Sequence, residues 1–149
     1  MKKIALIPGT FDPVTVGHLE LVRTAAALFD EVVVCISVNP DKKHLFDEET
    51  RKEMLRKAVA EYPNVRVDAQ HGMTADYAVS IGASYIIRGI RNEKDAGYEL
   101  KMADFNRNYR GIQTLFVPSP SEIAQVSSTL VREKLANGES VEGLLPQNV

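Results

Sequence analysis

With 149 residues, 44% of them hydrophobic and 26% charged, the chain has the length and composition of one globular domain with a substantial core. A net charge of -2 excludes the strongly basic balance of a general nucleic-acid binder, so any cationic function must be local. No apolar run reaches the roughly 18 residues of a membrane span, and Met1-Lys2-Lys3 leads into strand-like residues without a signal-peptide pattern, so the expectation is a cytoplasmic protein with no membrane partner and one domain over residues 1–149.

Lys2 to Pro8 predicts a buried strand and Leu19 to Phe29 a helix. Between them lies Gly9-Thr10-Phe11-Asp12-Pro13-Val14-Thr15-Val16-Gly17-His18. Its two glycines let backbone approach a ligand, Thr10 offers a hydroxyl, and His18 places an imidazole where first-turn N–H groups lack partners. Such a helix start attracts anions through those donors and the dipole, so the natural guest is a phosphate. Neither G-x-G-x-x-G nor G-x-x-x-x-G-K-[ST] occurs in the chain.

Glu31 to Val38 reads as a second strand, apolar nearly throughout, as expected when helices cover both sheet faces. Cys35 within it is a small apolar strand residue with no disulfide partner in the chain. After the break at Asn39-Pro40-Asp41-Lys42-Lys43, Asp47 caps a helix with acids in its first turn. Met54, Leu55, Ala58, Val59 and Tyr62 form its apolar face, and the charges from Asp47 to Lys57 read as an exposed face. His44 and His71 stand alone in loops, without a partner at ligand spacing, and read as solvated.

Val65 to Ala69 predicts a third strand, Thr74 to Ile81 a helix ended by Gly82, and Ser84 to Arg88 a fourth strand. A helix follows from Asp95 to Tyr109 with Tyr98, Met102 and Phe105 turned inward; Gly97 predicts a late start or a flexible point. Gln113 to Val117 is a fifth strand, and Ser127 to Ala136 a closing helix before Gly138. The alternation is that of one α/β domain with a parallel sheet and right-handed crossovers, whose ligand sits beyond the carboxyl ends of the strands. Thr10, Lys42, Arg88, Arg91 and Ser127-Ser128-Thr129 all fall at that edge, which predicts a polyphosphate site.

Over nearly its whole length the chain resembles the phosphopantetheine adenylyltransferases of the TxGH nucleotidylyltransferase class. The resemblance is carried by Pro8-Gly9-Thr10-Phe11-Asp12-Pro13, Thr15-Val16-Gly17-His18, Lys42, Ile87-Arg88-Gly89-Ile90-Arg91, Asp95, Tyr98-Glu99, Asn106-Arg107 and Val126-Ser127-Ser128-Thr129-Leu130-Val131-Arg132. It implies a doubly wound, Rossmann-like sheet of five parallel strands and adenylyl transfer from ATP, with Mg²⁺, to 4'-phosphopantetheine, giving dephospho-coenzyme A and pyrophosphate. It also implies a homohexamer built from two trimers.

By the same resemblance His18 is the catalytic residue, bonding the transferring phosphoryl group. Thr10 and Lys42 hold the incoming phosphate, Arg88 faces it, and Thr74 and Asn106 belong to the acceptor side. Thr10, Phe11, His18, Gly89, Ile90, Arg91 and Glu99 contact ATP. Ile123, Ala124, Gln125 and Val126 form an aliphatic wall for the adenine, and Ser127, Ser128 and Thr129 receive the outer phosphates. No protein-held metal is implied. The competing readings are another small-molecule nucleotidylyltransferase, making a nicotinamide dinucleotide or a CDP-alcohol, and a nucleotide-binding sensor without turnover.

Overall fold

Strand and helix alternate without exception in the computed structural model, which describes residues 1–149. The order is β1 (Ile4–Gly9), α1 (Val16–Leu28), β2 (Glu31–Ser37), α2 (Glu48–Ala58), β3 (Val65–Gln70), α3 (Thr74–Ser80), β4 (Tyr85–Ile90), α4 (Glu93–Arg110), β5 (Gln113–Pro118) and α5 (Ser128–Ala136). The five strands form one sheet in the order β3-β2-β1-β4-β5, and every neighbouring pair is parallel.

The apolar runs of β1 and β2 are explained by burial on both faces. Ala5, Ile7, Val32, Val34 and Ile36 pack with Val22 and Ala25 of α1 and with Leu55 and Ala58 of α2. Leu6, Val33 and Cys35 turn the other way, onto Ala78 and Ile86. The thiol of Cys35 is pushed up to about 12 by burial and by the neighbouring Asp68 carboxylate, so it is an inert core group.

Several expectations are corrected. The fourth helix starts at Glu93, capped by Asn92, whose side chain accepts from Asp95 N–H, and it runs unbroken through Gly97. Nothing lies within 4 Å of a Cβ built at Gly97, so this glycine answers to no packing demand within the chain. Tyr98, Met102 and Phe105 are exposed, at 63%, 39% and 45%, and the residues that helix buries are Glu99 and Asn106. Its inner face is polar because it lies against Arg88, a cation that needs a carboxylate.

The charged stretch of α2 is not uniformly an outer face either, for Arg51 is 2% exposed. Its guanidinium donates to the carbonyls of Phe46 and Thr10, both at 3.0 Å. His44 is not solvated: its side chain is 12% exposed, and both ring nitrogens are buried without a hydrogen bond. The fourth strand continues past Arg88 to Ile90, so Arg88 projects from inside the strand.

Chain direction across the sheet reverses between β1 and β4, since β1 to β3 build one half and β4 to β5 the other. The two central strands share little ladder. β1 pairs with β2 over six positions but with β4 only at Ala5–Tyr85 and Leu6–Ile86. Beyond Leu6 the strands part, and the gap opens at their carboxyl ends, where ligands of open α/β sheets bind.

Candidate active site at the sheet switch point

The turn leaving β1 is shaped by one ring. Phe11 adopts φ 50, a left-handed conformation uncommon for a bulky residue. Its ring packs on Gly9, where an added Cβ would lie 3.0 Å from the ring atoms, and meets the His18 ring edge-on at 4.8 Å between centroids. Thr15 then caps α1. Its Oγ1 accepts from the N–H of His18, and the backbone N–H of Thr15 donates to His18 Nδ1 at 3.0 Å.

That last bond assigns the tautomer. An N–H donor at Nδ1 requires a lone pair there, so the neutral ring carries its proton on Nε2, the nitrogen not engaged by the cap. The ring stays neutral because its pKa is lowered to about 4 by burial, with the guanidinium charges of Arg88 and Arg91 adding to the effect. Between pH 6.5 and about 4 the unfolded chain therefore binds more protons at this residue than the folded one, and stability falls as pH falls through that window. Urea midpoints at pH 7.0, 5.5 and 4.5 (about these values) should decline less steeply for His18→Gln than for the parent chain. Parallel declines would mean that position 18 carries no such linkage.

Where β1 and β4 part, Arg88 bridges them: Nη1 donates to the carbonyl of Pro8 at 2.7 Å. Nε and Nη2 donate to the two oxygens of Glu99 at 2.8 and 2.7 Å, a bidentate pair in which the carboxylate is 9% exposed. Glu99 thus orients a guanidinium and is spoken for. Arg91 makes a single-contact ion pair, with Nε 3.2 Å from Asp95 Oδ2.

The opening contains two lobes. A cleft of about 390 Å³ is bordered by Thr10, Phe11, His18, Lys42, Arg88, Gly89, Arg91, Glu99, Val126, Ser127, Ser128 and Thr129, all anticipated from sequence. A second cavity of about 290 Å³ takes in Thr74 and Asn106, together with Tyr98 and Met102. Pro8, Gly9, Thr10, Arg88 and Glu99 line both, so the lobes meet at one wall. Ile90, Ile123, Ala124 and Gln125 line neither. The last three lie in the turn before α5, where Val126 N–H bonds the carbonyl of Ile123.

Lys43, Asp95 and Arg132 also line the first lobe; Asp95 and Arg132 stand among the residues that carry the resemblance, but it gives them no role in the site, and Lys43 has none either. Arg132 was legible, since it sits three residues after Thr129 on the face that opens α5; its Nη1 donates to the carbonyl of Asp12 at 2.8 Å. Among the hydroxyls, Ser127 caps Leu130 N–H, and Ser128 donates to the carbonyl of Pro13 at 2.7 Å, tying α5 to the β1 turn.

The charge balance of the first lobe selects its guest. Glu99 and Asp95 are paired with Arg88 and Arg91, and Glu20 is paired with Arg23 outside the lobe. The carboxylate of Asp12 accepts two backbone N–H groups. Lys42, Lys43 and Arg132 make no ion pair and leave unneutralised positive charge at the cleft of a chain whose net charge is -2. Such a lobe suits a polyanion. No three or more His, Cys, Asp or Glu side chains are grouped so as to hold a metal ion.

Comparison with known proteins agrees with this architecture. Residues 6–134 match the cytidylyltransferase-like family. A phosphopantetheine adenylyltransferase of Frankia casuarinae is 43% identical over 149 residues, covering 97% of this chain and 92% of its own length. A crystal structure of a candidate nicotinate-nucleotide adenylyltransferase from Vibrio parahaemolyticus superposes with a TM-score of 0.73 over 97% of this chain and 94% of its own, at 18% identity, and so shares the fold. The chain belongs to the cytidylyltransferase-like family and, within it, to the phosphopantetheine adenylyltransferases.

Proposed function

We propose that this protein transfers the adenylyl group of ATP to 4'-phosphopantetheine, releasing pyrophosphate and forming 3'-dephospho-coenzyme A. The observation that carries this reading is the pair of lobes meeting at Pro8, Gly9, Thr10, Arg88 and Glu99, one lobe cationic and the other bordered by Thr74, Tyr98, Met102 and Asn106. The triphosphate occupies the first, and the pantetheine arm the second.

The reaction joins two anions. An oxygen of the acceptor phosphate bonds the α-phosphorus while the bond from that phosphorus to the bridging oxygen breaks, and its electron pair leaves with pyrophosphate. A phosphate dianion needs no base to act as nucleophile, so positioning and charge compensation supply the rate. Thr10 and Lys42 hold the acceptor phosphate, with Arg88 beside it. His18 donates its Nε2 proton as a hydrogen bond to a non-bridging α-oxygen as charge develops there. Arg91, Phe11, Gly89, Ile90 and the start of α5 at Ser127, Ser128 and Thr129 bind the nucleotide, and Ile123 to Val126 form the adenine wall.

Mg²⁺ would enter with ATP and would supply charge compensation for its phosphates. The carboxylates at the cleft are engaged by arginines or backbone N–H groups, which fits an ion carried by phosphate oxygens and water. We place the protein in the cytoplasm as a homohexamer, a dimer of trimers. In support, Tyr98, Met102, Phe105 and Tyr109 form an exposed apolar stripe along one face of α4, the kind of face that another copy covers. Light scattering should give six times the 16.5 kDa chain mass.

The deciding experiment is pyrophosphate release from ATP and Mg²⁺ with 4'-phosphopantetheine, nicotinate mononucleotide or a phosphoalcohol as acceptor. Release with the first alone is the expected result. Release with either of the others instead would assign a different transferase, and ATP binding without release from any acceptor would leave a nucleotide sensor.

A further inference from the structure

Lys42 belongs to the segment from Val38 to Phe46, which joins β2 to α2 and contributes both Lys42 and Lys43 to the cleft. The segment has few bonds of its own. At one end Val38 N–H reaches the carbonyl of Gln70, and the Asn39 side chain and carbonyl accept from Asp41 and Lys42 N–H. At the other end everything converges on a residue far away in sequence. The Asp12 carboxylate, 3% exposed, accepts from Leu45 N–H at 2.8 Å through Oδ2 and from Phe46 N–H at 2.9 Å through Oδ1.

A second buried charge closes the same clasp from behind. Arg51 donates Nε to the carbonyl of Phe46 and Nη1 to that of Thr10. The turn bearing Thr10 and the segment bearing Lys42 are thus joined by two buried groups of opposite charge, each spent on backbone. His44 packs against the same carboxylate, Nδ1 being 3.8 Å from Asp12 Oδ2, without a hydrogen bond of its own. A buried carboxylate is costly unless its oxygens are met by donors, and here the donors all come from the segment that carries Lys42.

We infer that Asp12 is a positioning residue for the acceptor phosphate: through Leu45 and Phe46 it fixes the Lys42 segment against the Thr10 turn, with Arg51 completing the clasp. The inference rests on Lys42 and Thr10 holding that phosphate. Asp12 itself touches no substrate in this scheme. It determines the separation of two groups that must close on the same small anion, whereas α5 is tied to this turn through the backbone carbonyls of Asp12 and Pro13, and so does not depend on the Asp12 carboxylate.

Asp12→Asn preserves the shape, but its amide keeps one acceptor and turns a donor toward the second N–H, so one bond is lost and a repulsion is added. The expected result is a rise of about tenfold or more in KM for 4'-phosphopantetheine, with KM for ATP within about twofold of the parent. Because the effect runs through Lys42, adding Asp12→Asn to Lys42→Ala should worsen acceptor KM by no more than about twofold beyond Lys42→Ala alone. Leu45→Pro, which removes a single N–H at a residue 52% exposed and alters no buried charge, should raise acceptor KM by about threefold to tenfold and serves if Asp12→Asn does not fold. Equal rises in both KM values, a multiplicative loss in the double variant, or unchanged acceptor KM in Asp12→Asn and Leu45→Pro would each overturn the clasp. An unchanged acceptor KM in Lys42→Ala would instead overturn the role of Lys42, and the purpose of the clasp with it.

Discussion

His18→Ala is expected to lower kcat by about a hundredfold to a thousandfold, the effect of removing one preorganised donor from a developing oxyanion. The donor is unusually well prepared. Thr15 N–H occupies Nδ1, so the ring cannot flip its tautomer without losing the cap, and burial together with Arg88 and Arg91 keeps it neutral. No proton need move before reaction, and the bond can strengthen as charge accumulates on the α-phosphoryl group. The fold should survive, because the loss comprises half of a capping box and one edge-on aromatic contact with Phe11, each worth about 1 kcal/mol. Single-turnover kinetics with ATP and acceptor, alongside a melting curve, separate the two effects. A variant that turns over at close to the parental rate would take His18 out of the chemistry, whereas one that melts early would show that the ring serves mainly as a cap.

Arg88→Ala carries the second large effect, and it falls on stability and turnover together. The substitution leaves Glu99 buried with no cation and the carbonyl of Pro8 without its donor, at the point where β1 and β4 have already parted. Removing one member of a buried pair costs about 3–5 kcal/mol, and since the Arg88 side chain retains 34% of its exposure the lower end applies. Turnover should fall by about tenfold or more, as the guanidinium stands on the wall common to both lobes. Chemical denaturation of Arg88→Ala, Glu99→Ala and the double variant checks the argument: the double variant should be more stable than Arg88→Ala, because it no longer buries an unpaired carboxylate. If Arg88→Ala were the more stable of the two, the pair would not be holding this wall.

The α4 helix shows where reading by periodicity goes astray. Its apolar residues recur at helical spacing, and spacing alone cannot say whether an apolar stripe faces a core or another molecule. Here the inward face is chosen by charge: Arg88 requires Glu99, so the helix turns Glu99 and Asn106 to the sheet and Tyr98, Met102 and Phe105 to the outside. His44 and Arg51 failed for a related reason. Each looks like an ordinary loop or helix-surface residue, and each is buried by contacts with residues 10–12 that are more than thirty positions away.

Local physics was enough for much of the rest. The alternation of apolar runs and amphipathic stretches dictated five parallel strands with crossover helices. Asp47 marked a helix start through its capping chemistry and Ser127 stood at the start of the last helix, whereas the first helix begins three residues earlier than Leu19, at Val16 behind the Thr15 cap. The string from Gly9 to His18 marked a turn that brings Thr10, Phe11 and His18 to the cleft. These are properties of neighbours along the chain, so sequence by itself determined them. The tertiary structure alone decided which charges are neutralised and which remain free. Pairing Arg88 with Glu99, spending Asp12 and Arg51 on backbone, and leaving Lys42, Lys43 and Arg132 without a carboxylate partner all depend on distances across the sheet, and electrostatic energy is set by those distances and by burial, neither of which is written in the order of residues.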